Sequence, residues 1–219
     1  RQMCIRDSGL FKLKNRPQWY TVTKRSRTYV AKVLSSISGE YYKNYNVNRL
    51  IRRSNGIDLY YGDKSEFFSY DKVVLASHAD QALSIIDEPT KDEKEILSTF
   101  KYRENIAVIH TDESIMPNNK DIWSSWNSSV DKNNVEKNSI TYWLNLLQNL
   151  DFNKNIFLTL NPNFKINEDK ILKKVNFTHP YFDQSALDNQ DKLKNLQNKK
   201  NLLFCGSYFG YGFHEDGIK

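Results

Sequence analysis

Cysteine is scarce in this 219-residue sequence, with Cys4 and Cys205 its two thiols. So few thiols exclude a disulfide framework and a cysteine-built zinc site. Long hydrophobic runs are missing too: no stretch approaches the roughly 18 uninterrupted apolar residues of a membrane-spanning helix. The first residues lack an apolar core ahead of a small-residue cleavage site, so no signal peptide is read and the cytoplasm is the expected compartment. There is no internal repeat and no low-complexity linker. What is present is a globular balance of 39% hydrophobic, 13% aromatic and 26% charged residues, enough for one large domain or two small ones.

Acidic residues are sparse in one region only. Residues 1–53 hold 13 Lys/Arg against 2 Asp/Glu, whereas residues 54–219 hold 19 against 24. A basic first quarter suits nucleic acid, anionic lipid or a phosphorylated cofactor, and equally a solvated basic face. Both ends read as interruptions. The string Gln2-Met3-Cys4-Ile5-Arg6-Asp7-Ser8 resembles translated sequencing-adapter DNA, so residues 1–8 are expected to be a non-native tail. Phe213-His214-Glu215-Asp216-Gly217-Ile218-Lys219 carries the acids and glycine of a helix start with no helix after it. The expectation is a fragment.

The periodicities predict a mixed α/β chain. Ser26 can cap a helix over 27–38, where Tyr29, Val30, Val33, Leu34 and Ile37 recur at helical spacing. Three strands are expected at 46–52, 56–61 and 66–70, with Asn55-Gly56 and Gly62-Asp63 as turns. Val73-Val74-Leu75-Ala76 reads as a strand buried on both faces. Helices follow at 79–86 and from the Thr90–Glu93 capping box to about Phe100. Further strands are expected at 105–111, 139–144 (or a helix over 142–150) and 155–160, a short helix or strand approach at 168–174, and a helix over 185–198. Leu202-Leu203-Phe204-Cys205-Gly206 reads as a last apolar strand ending in glycine.

Glycine at a strand end lets backbone approach a ligand, and Gly210-Tyr211-Gly212-Phe213-His214-Glu215-Asp216-Gly217 adds a glycine-rich loop leading to free N–H groups. An ordinary glycine-rich turn satisfies the same spacing. Among the histidines, His78 either contacts a cofactor or caps a helix. His110 and Asp112 stand at i, i+2 and either act on a substrate proton or form a structural pair. His179, before Pro180, reads as a turn residue. No spacing makes a metal site. Trp123, Trp126, Tyr142, Trp143 and Phe157 form an aromatic set that is either core or the wall of a pocket for an apolar, lipid-like substrate.

Taken together, Arg16-Pro17-Gln18-Trp19, residues 73–83, His110-Thr111-Asp112-Glu113 with Met116-Pro117, Trp123-Ser124-Ser125-Trp126-Asn127, Thr141-Tyr142-Trp143, His179-Pro180 and the run from Phe204 to Gly217 resemble the C-terminal part of an FAD-dependent oxidoreductase of the flavin amine oxidase superfamily. The nearest likeness is to the bacterial group of predicted NAD/FAD-binding proteins. The resemblance implies a two-domain enzyme whose chain crosses repeatedly between domains. Residues 9–38 would end the substrate domain and connect, 39–80 belong to the FAD domain, 81–198 form the substrate domain, and 199–219 return to the FAD domain. It places Val47 near the adenine, Ala76 and His78 at the cofactor, and Gly206, Ser207 and Tyr208 along the pyrophosphate and ribityl chain. Gly212 would also bind the cofactor, and His214, Glu215, Asp216, Gly217 and Ile218 would lie by the flavin ring, the N–H groups of Gly217 and Ile218 facing its N1/C2-carbonyl edge. His214, with His110 and Asp112, becomes a catalytic candidate. Ser207 stands where many relatives carry an acid. The superfamily's N-terminal Gly-x-Gly-x-x-Gly is not among these residues, so the chain alone is expected to hold FAD weakly.

The implied reaction passes a hydride from a hydrophobic or lipid-like substrate to FAD. The expected partners are that small molecule and, at the periphery, a membrane; nucleic acid is not expected. The competing class is a non-catalytic basic module for anionic lipid or single-stranded nucleic acid.

Overall fold

A computed structural model of the chain describes residues 20–63, 66–131 and 134–218. The 1–8 segment and Arg16-Pro17-Gln18-Trp19 lie outside the described residues. The helices are α1 (Ser26–Ser35), α2 (Ala79–Ile85), α3 (Lys91–Leu97), α4 (Leu144–Leu147) and α5 (Gln184–Gln190). The strands are β1 (Val47–Arg53), β2 (Gly56–Tyr61), β3 (Glu66–Tyr70), β4 (Val73–Leu75), β5 (Lys101–His110), β6 (Trp126–Asp131), β7 (Asn134–Trp143), β8 (Phe157–Leu160), β9 (Ile171–Tyr181) and β10 (Leu202–Phe204). Among the described residues there are two compact units: 37–102 with 180–218, and 20–36 with 103–179. The sequence drew crossings after residues 38, 80 and 198; the compact units change over after 36, 102 and 179.

In the first unit β1, β2 and β3 form an antiparallel sheet in that order. The Leu50–Leu59–Phe68 row faces inward, with Leu50 and Ile57 fully buried. Gly56 makes the first turn possible, because a Cβ there would lie 2.6 Å from the Tyr70 carbonyl. β4 pairs in parallel with β10, Val73 opposite Leu202 and Leu75 opposite Phe204. The expectation of burial on both faces fails at Val74, which is 57% exposed while Val73 and Leu75 are buried. A two-stranded sheet with one covered face leaves every second side chain open.

The helices of this unit close over the sheets. α2 and α3 bury Ala79, Ala82, Ile96 and Leu97; α5 and the 3-10 stretch Asp191–Leu196 bury Ala186, Leu193 and Leu196. The capping box forms as read: the Glu93 N–H donates to Thr90 Oγ1 at 3.2 Å, and the Thr90 N–H donates to Glu93 Oε2 at 2.7 Å. α3 stops at Leu97 rather than Phe100, because the chain tightens into turns that bring the N–H of Phe100 onto the Leu97 carbonyl.

The second unit is built on an antiparallel sheet ordered β6-β7-β8-β5-β9. α1 begins at Ser26 itself, after Lys24 and Arg25 take left-handed φ values of 60° and 68°, and no side-chain cap forms. Both alternatives at 139–150 occur in part, since β7 ends at Trp143 and α4 follows at once. β6 and the full length of β9 have no strand signal of their own in the sequence. Trp126–Asp131 has little apolar alternation and is held by its ladder with β7. β9 carries a Lys pair and Pro180, which an edge strand tolerates.

Candidate functional site

The carboxyl ends of parallel strands are where open α/β sheets bind ligands. Here β4 runs out into Ala76-Ser77-His78 and β10 into Cys205-Gly206-Ser207, the Cys205 N–H donating to the Leu75 carbonyl at 3.0 Å. A Cβ on Gly206 would stand 3.5 Å from the Ser77 carbonyl oxygen. The short 3-10 turn Glu215–Gly217 folds back over this point: a Cβ on Gly217 would stand 3.6 Å from the Ser207 nitrogen and 3.9 Å from the Gly206 carbonyl carbon. Ser77, Gly206, Ser207 and Gly217 are therefore one cluster. Ala76 is exposed, Ser207 half-buried, and the Ser207 hydroxyl has no hydrogen-bond partner among the described residues.

Other residues expected at the cofactor take different places. Tyr208 is 2% exposed and packs on Phe100 and Phe209, so it is core, not ligand wall. Burial pushes its phenol pKa up, and its hydroxyl is orphaned. Gly206 has φ 153°, and a Cβ there would meet the Tyr208 ring at 2.7 Å, so this glycine is required by the chain's own packing. Asp216 turns inward, accepting the N–H groups of Tyr211 at 3.0 Å and Phe213 at 2.9 Å, and staples the loop. Gly212 sits against the Phe182 ring. The N–H groups of Gly217 and Ile218 donate to the carbonyls of His214 and Glu215, so they are not free for a flavin edge. His214 and Glu215 are exposed, and Ile218 is 83% exposed.

His78 stacks on Tyr102 with ring centroids 4.2 Å apart. Its carbonyl accepts the Ala82 N–H, and its own N–H donates to Gln81 Oε1 at 3.3 Å, which opens α2. No sequence signal marks Tyr102. Its hydroxyl accepts the Ala79 N–H at 2.9 Å, and burial pushes its pKa up to about 12. Val47 opens β1 opposite Tyr61, in the antiparallel sheet rather than at the parallel strand ends.

His110 and Asp112 belong to the second unit and are sealed, 0% and 2% exposed. The Asp112 N–H donates to His110 Nδ1 at 3.1 Å, so Nε2 carries the proton and donates to Thr159 Oγ1 at 2.8 Å. Thr159 Oγ1 in turn bonds Thr141 Oγ1 at 2.9 Å. Every polar atom of the ring is satisfied in the neutral form. These contacts are those of a structural pair. Burial lowers the His110 pKa and the nearby Asp112 charge only partly opposes that.

The histidine therefore gives a pH signature. An unfolded histidine takes up a proton near pH 6.5, which the folded one resists. Its stabilisation is complete above that pH and is lost as pH falls through the lower folded value. Melts at pH 7.5, 6.5 and 5.5 are expected to show this decline in the unaltered chain and a shallower one in His110→Gln. Equal slopes contradict the assignment.

The aromatic set divides by strand alternation. Trp143, Phe157 and His110 are register partners on one face. There Trp123 packs edge-on to Trp143 at 5.3 Å and to Phe157 at 5.7 Å, a core cluster with Met116. The other face aligns Trp126, Tyr142, Leu158 and Ile109, with Ile140, Leu160 and Ala107 in the next row. Trp126 is 56% exposed and Tyr142, Leu158 and Ile109 are half-buried, so this face stays accessible.

This arrangement of mixed helices and sheets is the fold of the C-terminal half of FAD-binding, amine oxidase-like proteins. The chain is similar to the CLA-producing fatty acid isomerase from P. acnes, with 15% identity and a TM-score of 0.62 over 90% of this chain and 50% of that one. A provisional protoporphyrinogen oxidase from Exiguobacterium sp. 255-15 matches at 7% identity and TM-score 0.62, over 89% of this chain and 48% of the other. Putrescine oxidase bound to putrescine matches at 9% identity and TM-score 0.55, over 89% and 50%. The chain spans about half the length of these solved structures. At such identities the likeness carries the fold alone. No family model and no curated protein sequence matches the chain.

Proposed function

We propose that the chain is part of an FAD-dependent oxidoreductase of amine oxidase type, acting on a hydrophobic, lipid-like substrate. The observation that carries the reading is the cluster of Ser77, Gly206, Ser207 and Gly217 at the ends of two parallel strands, in a fold shared with such proteins. The residues fit one wall of a cofactor site: backbone lies close-packed around two glycines, and the Ser207 hydroxyl is left without a partner among the described residues. Bound there, FAD supplies the acceptor for a substrate hydride. Ser207 offers its hydroxyl to the cofactor, while Tyr208 and Asp216 hold the wall in shape from behind. His214, exposed beside the last turn and close in sequence to the Gly217 wall, is the histidine assigned to a substrate proton in this reading.

The hydrophobic substrate is favoured by the open Trp126–Tyr142–Leu158–Ile109 row of the second unit, which offers apolar contact and no acid for an amine. The nucleic-acid module loses support because all three β1 arginines are committed: Arg49 to Asp87, Arg52 to Glu93 and Arg53 to Asp58.

Flavin fluorescence during FAD titration tests the reading. The chain is expected to quench FAD saturably with a dissociation constant weaker than about 10 μM, and Gly217→Val to weaken it at least about tenfold. Gly217 has room for a side chain without backbone strain, so this variant should fold. No saturation at millimolar FAD, or an unchanged constant in the variant, contradicts the site.

A further inference from the structure

Four further cations of the basic first quarter lie on α1 of the second unit or on the turn just before it. Lys24, Arg25, Arg27 and Lys32 form no ion pair among the described residues, and residues 20–39 contain no acid. They surround α1, which buries none of its residues. At 100° per residue, Tyr29, Val33, Val30 and Leu34 fall within an arc of about 140° on one side of the helix. Tyr29, Val30 and Val33 are 40%, 43% and 56% exposed and Leu34 is half-buried. Arg27 and Lys32 stand at the two margins of this arc. Just upstream, Tyr20 and Val22 are 88% and 45% exposed.

An apolar stripe that the described residues leave largely uncovered, edged by cations without an ion pair among them and free of acids, is the pattern of a helix lying in a lipid–water interface. A protein groove recognising the same stripe has no reason to exclude every acid. A solvated face has no reason to gather Tyr, Val and Leu on one side. Single-stranded nucleic acid would use the cations and leave the aliphatic stripe idle. The approach to the helix is fixed: Lys24 and Arg25 hold left-handed φ, and the Arg25 N–H donates to the Val22 carbonyl at 2.8 Å. One acid stands near, Asp151, which lines a cleft with Thr21–Arg25 and Phe152.

We propose that α1 and its upstream turn dock on an anionic lipid surface, with Tyr29, Val30, Val33 and Leu34 entering the headgroup boundary and Lys24, Arg25, Arg27 and Lys32 meeting lipid phosphates. The proposal does not depend on the flavin reading. No helix among the described residues is long and apolar enough to cross a membrane, and α1 is proposed to lie on the surface.

Vesicle co-sedimentation of the chain tests it, using phosphatidylcholine alone and phosphatidylcholine with about 30% phosphatidylglycerol. Binding to the anionic vesicles is expected to exceed that to neutral ones at least about tenfold, and to fall in about 0.5 M NaCl. Val33→Asp should abolish it through the stripe, and Arg27→Gln with Lys32→Gln should weaken it through charge. Both changes are at exposed positions, and unchanged circular dichroism verifies folding. Equal binding to both vesicle types, or full binding by Val33→Asp, overturns the proposal. So does a Val33→Asp effect confined to self-association, or tighter binding to single-stranded DNA that Val33→Asp leaves intact.

Discussion

Asp112→Ala is expected to cost the second unit about 3–5 kcal/mol, far more than loss of a surface acid. Its carboxylate accepts the Ser114 N–H at 3.1 Å, the Ser114 hydroxyl at 2.8 Å, the Asn167 N–H at 3.0 Å and Lys170 Nζ at 3.1 Å. Burial pulls its pKa upward, but these donors outweigh that and leave the carboxyl well below the usual carboxylate range. Alanine strips the acceptor from two part-buried N–H groups and unties the end of β5 from the turn that begins β9. Lys170 is 44% exposed and rehydrates, so the cost sits in the stranded backbone donors. Urea melts followed by tryptophan fluorescence report this, because Trp123, Trp126 and Trp143 all belong to the second unit. As its folded pKa is depressed, the Asp112 contribution is full above about pH 4 and is lost as pH falls further. A loss under about 1 kcal/mol at neutral pH contradicts the account.

Glu93→Ala should be comparably severe in the first unit, about 3–5 kcal/mol. Glu93 is 2% exposed. One carboxylate oxygen accepts from the Arg52 guanidinium and the other from the Thr90 N–H, so one side chain closes an ion pair and a helix cap. The Arg52 side chain is only 13% exposed and would keep its charge with just the Glu88 carbonyl at 3.0 Å. Glu93→Gln retains an acceptor for the cap and should lose less. By contrast, breaking the more open Lys199–Asp92 pair should cost under about 1 kcal/mol. Circular dichroism melts of the three variants read the order, and equal losses contradict it.

Where local chemistry decided the outcome, the chain was legible. The Thr90–Glu93 box, the Asn55-Gly56 hairpin and the apolar β10 run each carry their own instruction. β6 and β9 carry none, because their strand state comes from a neighbour's ladder. The glycine-rich tail was legible as a special backbone and misread in its causes. Gly206 answers to the Tyr208 ring and Gly210 to Asp216, contacts no spacing reveals. His110 and Asp112 sit two apart and invite a catalytic reading, yet the threonines that seal them come from β7 and β8 and Lys170 from the turn before β9.

The account rests on the two strand ends forming a cofactor wall. The direct measurement is a backbone amide NMR map of the chain under FAD titration. Shifts gathered at residues 76–78, 205–208 and 214–218 are predicted, with His110 and Asp112 unmoved. A saturating titration that leaves those three segments in place, or moves the His110–Asp112 network instead, contradicts it.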